Sequence, residues 1–199
     1  MDMAKIEFWY EFASTYSYPA AMRVDEFAKK AGVEVIWRPM LLGPIFFEQG
    51  LQDSPFNVYE VKGRYMWRDL ERLCAAYKLP FNKPSHFPQN GLKAARLALA
   101  GMKEGWGEDF SRAVYRANFV DGLTISDDAV LAEVLDLVGV EPEEAFAAAF
   151  TQENKDALRA QTDEAWERGI FGAPSFTVAD ELFWGHDRME QAFNWAKGK

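Results

Sequence analysis

Apolar and aromatic positions crowd the segment from Ile6 to Phe12 (Ile6, Phe8, Trp9, Tyr10, Phe12), the pattern of a buried strand. Ser14 and Thr15 then offer helix N-caps, and Pro19 falls in the first turns that follow. Ala20, Val24, Phe27, Ala28 and Ala31 recur at helical spacing, Gly32 stops the helix, and Val33 to Trp37 reads as a second strand ending at Pro39. The opening is therefore β-α-β, which implies a parallel strand pair and a right-handed crossover.

After Pro39 the alternating pattern gives way to helical periodicity for more than half of the chain. Met66, Leu70, Leu73, Cys74 and Tyr77 share one helical face, as do Leu92, Ala95, Leu99 and Met102. Phe110, Val114 and Ala117 form a third such set, and Val130, Val134 and Leu137 a fourth. Turn clusters separate them, with no flexible linker and no repeat period. A further helix is expected from Glu153 to Arg168, ending at Gly169. Ser175–Val178 and Leu182–Trp184 then read as a β-hairpin across Ala179-Asp180-Glu181, before a closing helix from about Asp187 to Ala196. The expected architecture is β-α-β, an all-helical insertion, then β-β-α.

Composition narrows the function classes. The chain has 199 residues, 49% of them hydrophobic, enough for one sizeable core. Its 22 Lys and Arg against 31 Asp and Glu leave a net charge of -9, which repels nucleic-acid phosphates and anionic lipid. The charge-free run from Phe12 to Met22 is too short and too polar to span a bilayer. The N-terminus lacks the apolar segment of a signal peptide, which points to a cytoplasmic location. One cysteine, Cys74, excludes an intrachain disulfide, and with only two histidines, His86 and His186, no metal site is expected.

Four segments carry a family likeness: Phe12-Ala13-Ser14-Thr15-Tyr16-Ser17-Tyr18; Lys62-Gly63-Arg64-Tyr65 with Asp69-Leu70; Phe87-Pro88-Gln89-Asn90 with Ala94 and Arg96; and Phe171-Gly172-Ala173-Pro174 with Trp184-Gly185-His186-Asp187-Arg188. In this order they resemble the 2-hydroxychromene-2-carboxylate isomerases and the kappa-class glutathione transferases, within the DsbA branch of the thioredoxin superfamily. The resemblance covers essentially the whole chain. It implies an α/β, thioredoxin-like fold made of residues 1–40 and 165–199, with a helical domain of residues 41–164 inserted between the halves.

The resemblance also implies a chemistry. Ser14 and Ser17 stand where disulfide oxidoreductases of this fold carry Cys-x-x-Cys, and oxygen cannot replace sulfur in thiol–disulfide exchange. Glutathione is the implied cofactor, with the Ser14 hydroxyl donating to its thiolate at a helix N-terminus. Lowering a thiol pKa from about 8.5 to about 6.5 takes about 2.7 kcal/mol. One charge-assisted hydrogen bond supplies about 1.5–3 kcal/mol and a helix end about 0.3–1 kcal/mol. Without the resemblance, Ser14 reads as a plain N-cap.

Ala173-Pro174 is the candidate cis bond, Ala173 pairing with the cysteinyl backbone, where the bland alternative is a trans proline entering an edge strand. Lys62, His186 and Asp187 are implied contacts of the glutathione ends; otherwise Lys62 and His186 are solvated and Asp187 is an N-cap. Tyr16, Asn90 and Arg96 are assigned to the second-substrate pocket, Arg96 able to fork onto a carboxylate, with an interdomain salt bridge as its alternative. Leu41 to Phe47 is an apolar segment suited to a pocket wall. Departures from the family pattern are Thr15 for Pro, Glu11 for Asp, Gly91 for Ser, and Leu51-Gln52 where an Asn is usual.

Three functional readings remain open on these residues. The first is a glutathione-dependent isomerase acting on a small aromatic carboxylate or other electrophile. The second is a kappa-like glutathione transferase, and the third a non-catalytic binding module using the cis-proline groove. Members of the family are usually dimers, which implies a homodimer.

Overall fold

The computed structural model describes residues 3–198. Strand β1 (Lys5–Tyr10) leads through two short helices, α1 (Ser17–Ala21) and α2 (Val24–Ala31), into β2 (Glu34–Pro39). The intervening chain is helical: α3 (Leu42–Glu48), α4 (Pro55–Val58), α5 (Glu60–Tyr77), α6 (Leu92–Glu104), α7 (Gly107–Phe119), α8 (Asp128–Leu137), α9 (Pro142–Ala149) and α10 (Gln152–Glu167). A hairpin of β3 (Ser175–Val178) and β4 (Glu181–Trp184), a 3-10 turn at His186–Arg188 and α11 (Met189–Ala196) complete the fold. The four-stranded sheet has the order β2-β1-β3-β4. β1 runs parallel to β2 and antiparallel to β3. This is the thioredoxin-like α/β architecture with a helical insertion that the periodicities and the resemblance imply.

The period of two along β1 divides its side chains between two cores. Ile6, Phe8 and Tyr10 join the main cluster, which takes in Val24 of α2, Phe193 of α11 and the inward faces of α5, α6 and α7. The Phe8 ring stacks on Phe176 at 5.2 Å and meets Trp37 edge-on at 4.9 Å. Trp9 points the other way, into a smaller cluster with Met40, Ile45, Ala165 and Ile170. Its Nε1 donates to Thr177 Oγ1 at 3.0 Å, and the Arg38 and Arg168 guanidinium groups lie 4.5 and 5.4 Å from its ring. Glu7 links the two arginines, accepting from Arg168 at 2.5 Å and lying 3.6 Å from Arg38. The insertion and the sheet thus share one hydrophobic core.

Four expectations need correcting. The first helix is not continuous: it breaks at Met22–Arg23, and α1 has five residues. Tyr115 and Phe119 of α7 pack on Tyr18 of α1, while α2 continues toward α11, so tertiary packing overrides the single helical period. The periodic sets did not reveal α3, α4 and α9, which are four to eight residues long and too short for a strong period. The hairpin turn is the two residues Ala179-Asp180, since Glu181 pairs with Val178, and Ala179 takes the positive φ of 51° that so tight a turn needs. The closing helix starts at Met189, and Asp187 belongs to the 3-10 turn before it rather than capping it. Gly32, at φ 66°, is the left-handed cap of α2 as expected.

Among the described residues no helix is long and apolar enough to cross a membrane, and no three His, Cys, Asp or Glu side chains gather as a metal site would require.

Close packing of α6 on α7 depends on Gly107. A Cβ there would stand 2.6 Å from the Met102 backbone nitrogen and 2.7 Å from the Ala98 carbonyl oxygen, neither of which can swing aside. Gly107→Ala is expected to lower stability by about 1–3 kcal/mol, seen as a fall in the urea midpoint at unchanged slope when unfolding is followed by tryptophan fluorescence.

Candidate active site

β1 ends at the mouth of a cavity of about 1140 Å³. That exceeds the roughly 300–1,000 Å³ of a single drug-sized ligand site. Its floor is the turn from Glu11 to Tyr16 and the Gly172–Pro174 loop; its walls come from α3, the Leu51–Phe56 segment, the Phe87–Leu92 segment and the Trp184–Arg188 turn.

Ser14 joins the two parts of the floor. Its hydroxyl donates to the Ala173 carbonyl oxygen at 2.9 Å and accepts from the Ser17 N–H at 3.3 Å, so it cushions the start of α1 while reaching across 159 positions of sequence. Ala173–Pro174 is cis, as is Phe87–Pro88. Ser17 is fully buried and does not line the cavity, which leaves Ser14 as the member of the Ser-x-x-Ser pair that faces it. The five-residue α1 offers a weaker dipole than the long helix read from the sequence, so the hydroxyl carries more of any anion stabilisation.

Tyr16 lies in an aromatic and acidic corner. Its hydroxyl donates to Asp69 Oδ2 at 3.0 Å, and its ring stacks on the His186 imidazole at 5.2 Å and 5°. Arg72 holds the other Asp69 oxygen at 3.1 Å. Burial first, and then the Asp69 carboxylate, push the Tyr16 phenol far above its ordinary value, so it remains a neutral donor. Burial lowers the His186 pKa against the opposing pull of Asp187 and Asp69, which keeps the imidazole uncharged at neutral pH.

Lys62, Asn90, His186 and Asp187 also line the cavity. The Lys62 ammonium sits 4.5 Å from the Tyr59 ring centroid, and Asn90 Oδ1 accepts from the Leu92 N–H at 3.0 Å, tying down the start of α6. Asp187 is half exposed beside Arg188 at 3.6 Å. Gly185 adopts φ 110°, and a Cβ there would lie 2.5 Å from Asp187 Oδ1, so the Asp187 carboxyl folds back over a position that only glycine fills without strain.

Arg96 does not join them. It projects from α6 toward the far end of the insertion, its guanidinium 5.4 Å from the Phe150 ring and its backbone carbonyl held by Asn154 at 2.9 Å. The salt bridge offered as its alternative is also absent among the described ion pairs. Periodicity places Arg96 on α6, but the rotation of that helix against α9 and α10 decides which way it faces.

The apolar wall expected at Leu41–Phe47 lines the cavity, and further wall residues come from outside the predicted site. Leu41–Phe47, read as an apolar segment, becomes α3, with Leu42, Phe46 and Phe47 on the cavity and Ile45 in the core. Gln49 ties the end of α3 to the Phe171 carbonyl at 3.1 Å, and Gln52 lines the cavity where the family pattern has an Asn. Trp184 lies against Gly172, where a Cβ would come within 2.6 Å of its indole nitrogen. Glu11, noted in the sequence only as a departure from Asp, is buried at the floor. Cys74 is buried at 1% exposure, and burial pushes its thiol up to about 11, an inert position for exchange chemistry.

The family model of the DSBA-like thioredoxin domain matches residues 5–194. The chain belongs to that family. Within the DSBA-like proteins it is similar to the 2-hydroxychromene-2-carboxylate isomerase of Sphingobium xenophagum, at 27% identity over 185 residues, spanning 93% of this chain and 94% of that relative. It is 26% identical over 210 residues to glutathione S-transferase kappa 2 of Caenorhabditis elegans, covering 94% of this chain and 88% of the relative. A solved 2-hydroxychromene-2-carboxylate isomerase structure superposes with a TM-score of 0.86 over 98% of this chain and 94% of that one, at 23% identity. This DSBA-like chain has a cis Ala173–Pro174 bond facing the Ser14 hydroxyl on the cavity floor.

The two histidines make the His186 environment measurable. Its Cε1–H resonance, assigned through His86→Gln, is expected to titrate below an ordinary histidine, and Asp187→Asn is expected to move that titration lower still. An unchanged midpoint in Asp187→Asn would remove the carboxylate from the electrostatics of this corner.

Proposed function

We propose that this protein is a glutathione-dependent isomerase of a conjugated aromatic substrate. The observation that carries the reading is Ser14: a hydroxyl at the cavity floor, in place of the redox pair, within hydrogen-bond distance of the cis-proline loop. The relatives named isomerases support the reaction class, and the relative named a glutathione transferase supports the cofactor.

The residues present fit glutathione. The Ser14 hydroxyl rotates from the Ala173 carbonyl to a sulfur anion without moving its backbone, and that rotation frees the Ala173 carbonyl to accept from a peptide N–H. Asp187 offers an acceptor for an ammonium group and Lys62 a cation for a carboxylate, both on the cavity wall. The neutral His186 ring and the Tyr16 ring stacked on it give this end an uncharged face. The volume leaves room for a second, aromatic molecule against Phe46, Phe47, Phe87 and Leu92.

Bound glutathione supplies a thiolate nucleophile that adds to the substrate and is later expelled unchanged. Ser14 holds the anion, the apolar wall excludes water and orients the aromatic ring, and Asn90 offers a polar contact on the same wall. The transferase reading uses the same floor and differs in outcome, because glutathione is then consumed.

An ultraviolet titration of bound glutathione tests the reading. In the wild type the thiol pKa is expected to fall by about 1–2 from its free value of about 8.5, the equivalent of one charge-assisted hydrogen bond, and to return most of the way in Ser14→Ala. With 2-hydroxychromene-2-carboxylate as probe, isomerisation is expected to require glutathione while leaving its concentration constant. Loss of glutathione with turnover would assign the transferase reading instead. A wild-type thiol pKa equal to the free value would overturn both and leave a binding module.

A further inference from the structure

Glu11 has no role in the reading above, yet it occupies the cavity floor three positions before Ser14. It is only 8% exposed and lines the cavity. Oε2 accepts from the Ala13 N–H at 2.9 Å. Oε1 points toward Gly91, where an added Cβ would stand 2.7 Å from it, so the wall segment before α6 closes directly onto the carboxyl.

No cation compensates this carboxyl. Among the described residues none of the Lys, Arg or His side chains forms an ion pair with it. From α7 it faces Tyr115, whose hydroxyl donates to the Glu11 backbone carbonyl at 2.9 Å and which burial keeps neutral, and Asn118, whose amide is bonded to the Phe12 carbonyl at 3.1 Å. From the start of α6 it faces Gly91, and from its own turn the backbone of Phe12, Ala13 and Ser14. A lone buried carboxylate in such surroundings is costly, and protonation removes the cost. Burial accordingly pushes the Glu11 carboxyl up to about 8, against the pull of the Ala13, Ser14 and Phe12 N–H groups. A carboxylic acid kept neutral by its site becomes a hydrogen-bond donor to an oxyanion, a pattern known from other isomerases.

We propose that Glu11 is a further catalytic residue, a buried acid that gives its proton to a substrate carbonyl oxygen as negative charge develops there and takes it back when the carbonyl re-forms. This rests on the isomerase reading. The O–H bonding pair remains on Glu11, whose carboxylate is then held by the Ala13 N–H, and the proton returns from the substrate oxygen, so no proton is consumed. Ser14 and Glu11 divide the work: the hydroxyl holds sulfur, the carboxylic acid serves oxygen.

Two measurements on the protein without ligand test the protonation. Infrared difference spectra between wild type and Glu11→Gln are expected to show a protonated-carboxyl C=O band at neutral pH that fades as pH rises through about 8. The native carboxyl holds its proton to higher pH than the unfolded value of 4.5, so wild-type stability carries this contribution in full below 4.5 and loses it as pH rises through about 8. The melting temperature of Glu11→Gln minus that of wild type is therefore expected to grow across that interval.

With 2-hydroxychromene-2-carboxylate and glutathione, Glu11→Gln is expected to lower kcat by about 10²–10⁴-fold and to abolish the fall of kcat at alkaline pH. The bound thiol titration should stay as in wild type. Glu11→Asp, the acid that the family pattern carries at this position, should keep the infrared band and recover much of the kcat that Glu11→Gln loses. An ionised Glu11 at neutral pH overturns the proposal, as does a Glu11→Gln enzyme with wild-type kcat and an intact alkaline limb. Should glutathione fail to bind wild type, the isomerase reading falls by that result, whereas the infrared band decides the protonation separately.

Discussion

The constraint on which the molecule depends is the position of β1 inside the sheet. Its backbone is hydrogen-bonded to β2 on one side and β3 on the other, with Ile6, Phe8 and Tyr10 buried on one face and Trp9 on the other. A strand so placed has no freedom at its end: the chain must turn at Glu11, over the edge of the sheet and against the Pro174 loop that enters β3. The Ser14 hydroxyl on the Ala173 carbonyl follows from that geometry. Because β1 and β3 are paired, residues far apart in sequence meet without any loop having to be ordered for the purpose, which holds the floor rigid.

The helical insertion completes what the sheet begins. Tyr115 and Asn118 of α7 donate to the carbonyls of Glu11 and Phe12, and Tyr18 of α1 donates to the Pro80 carbonyl at 2.6 Å. The Asn118 bond satisfies the Phe12 carbonyl, and the Tyr115 bond adds to the Ser14 N–H that the Glu11 carbonyl already accepts at 3.1 Å. Lys62, Asp187 and Arg188 line the cavity as exposed charges, while Asp69 is held between Tyr16 and Arg72. Tyr16 and His186 are both held uncharged chiefly by burial, one at each face of a stacked pair.

Much of the fold was legible from local chemistry. The aromatic density of β1, the glycine stop of α2, the hairpin flanking Ala179-Asp180 and the periods of α5, α6 and α7 are each carried by a few neighbouring residues. Ser14, the Ala173–Pro174 bond and the Asp187 turn were legible through a family resemblance, because motifs of two or three residues keep their spacing when the surrounding chain diverges. Arg96 sat in such a motif and still faces away, since position along a helix does not state how that helix is rotated about its axis.

The sequence alone thus determined the alternation of strands and helices, the absence of a redox pair and the charge balance, all of which depend on residue type and near-neighbour spacing. Tertiary structure decided the break between α1 and α2, the helical form of the α3 wall, the exile of Arg96 and the burial of Glu11. Each depends on contacts across many tens of residues, where packing energy outweighs local propensity and where the loss of water around a single carboxyl can change its charge.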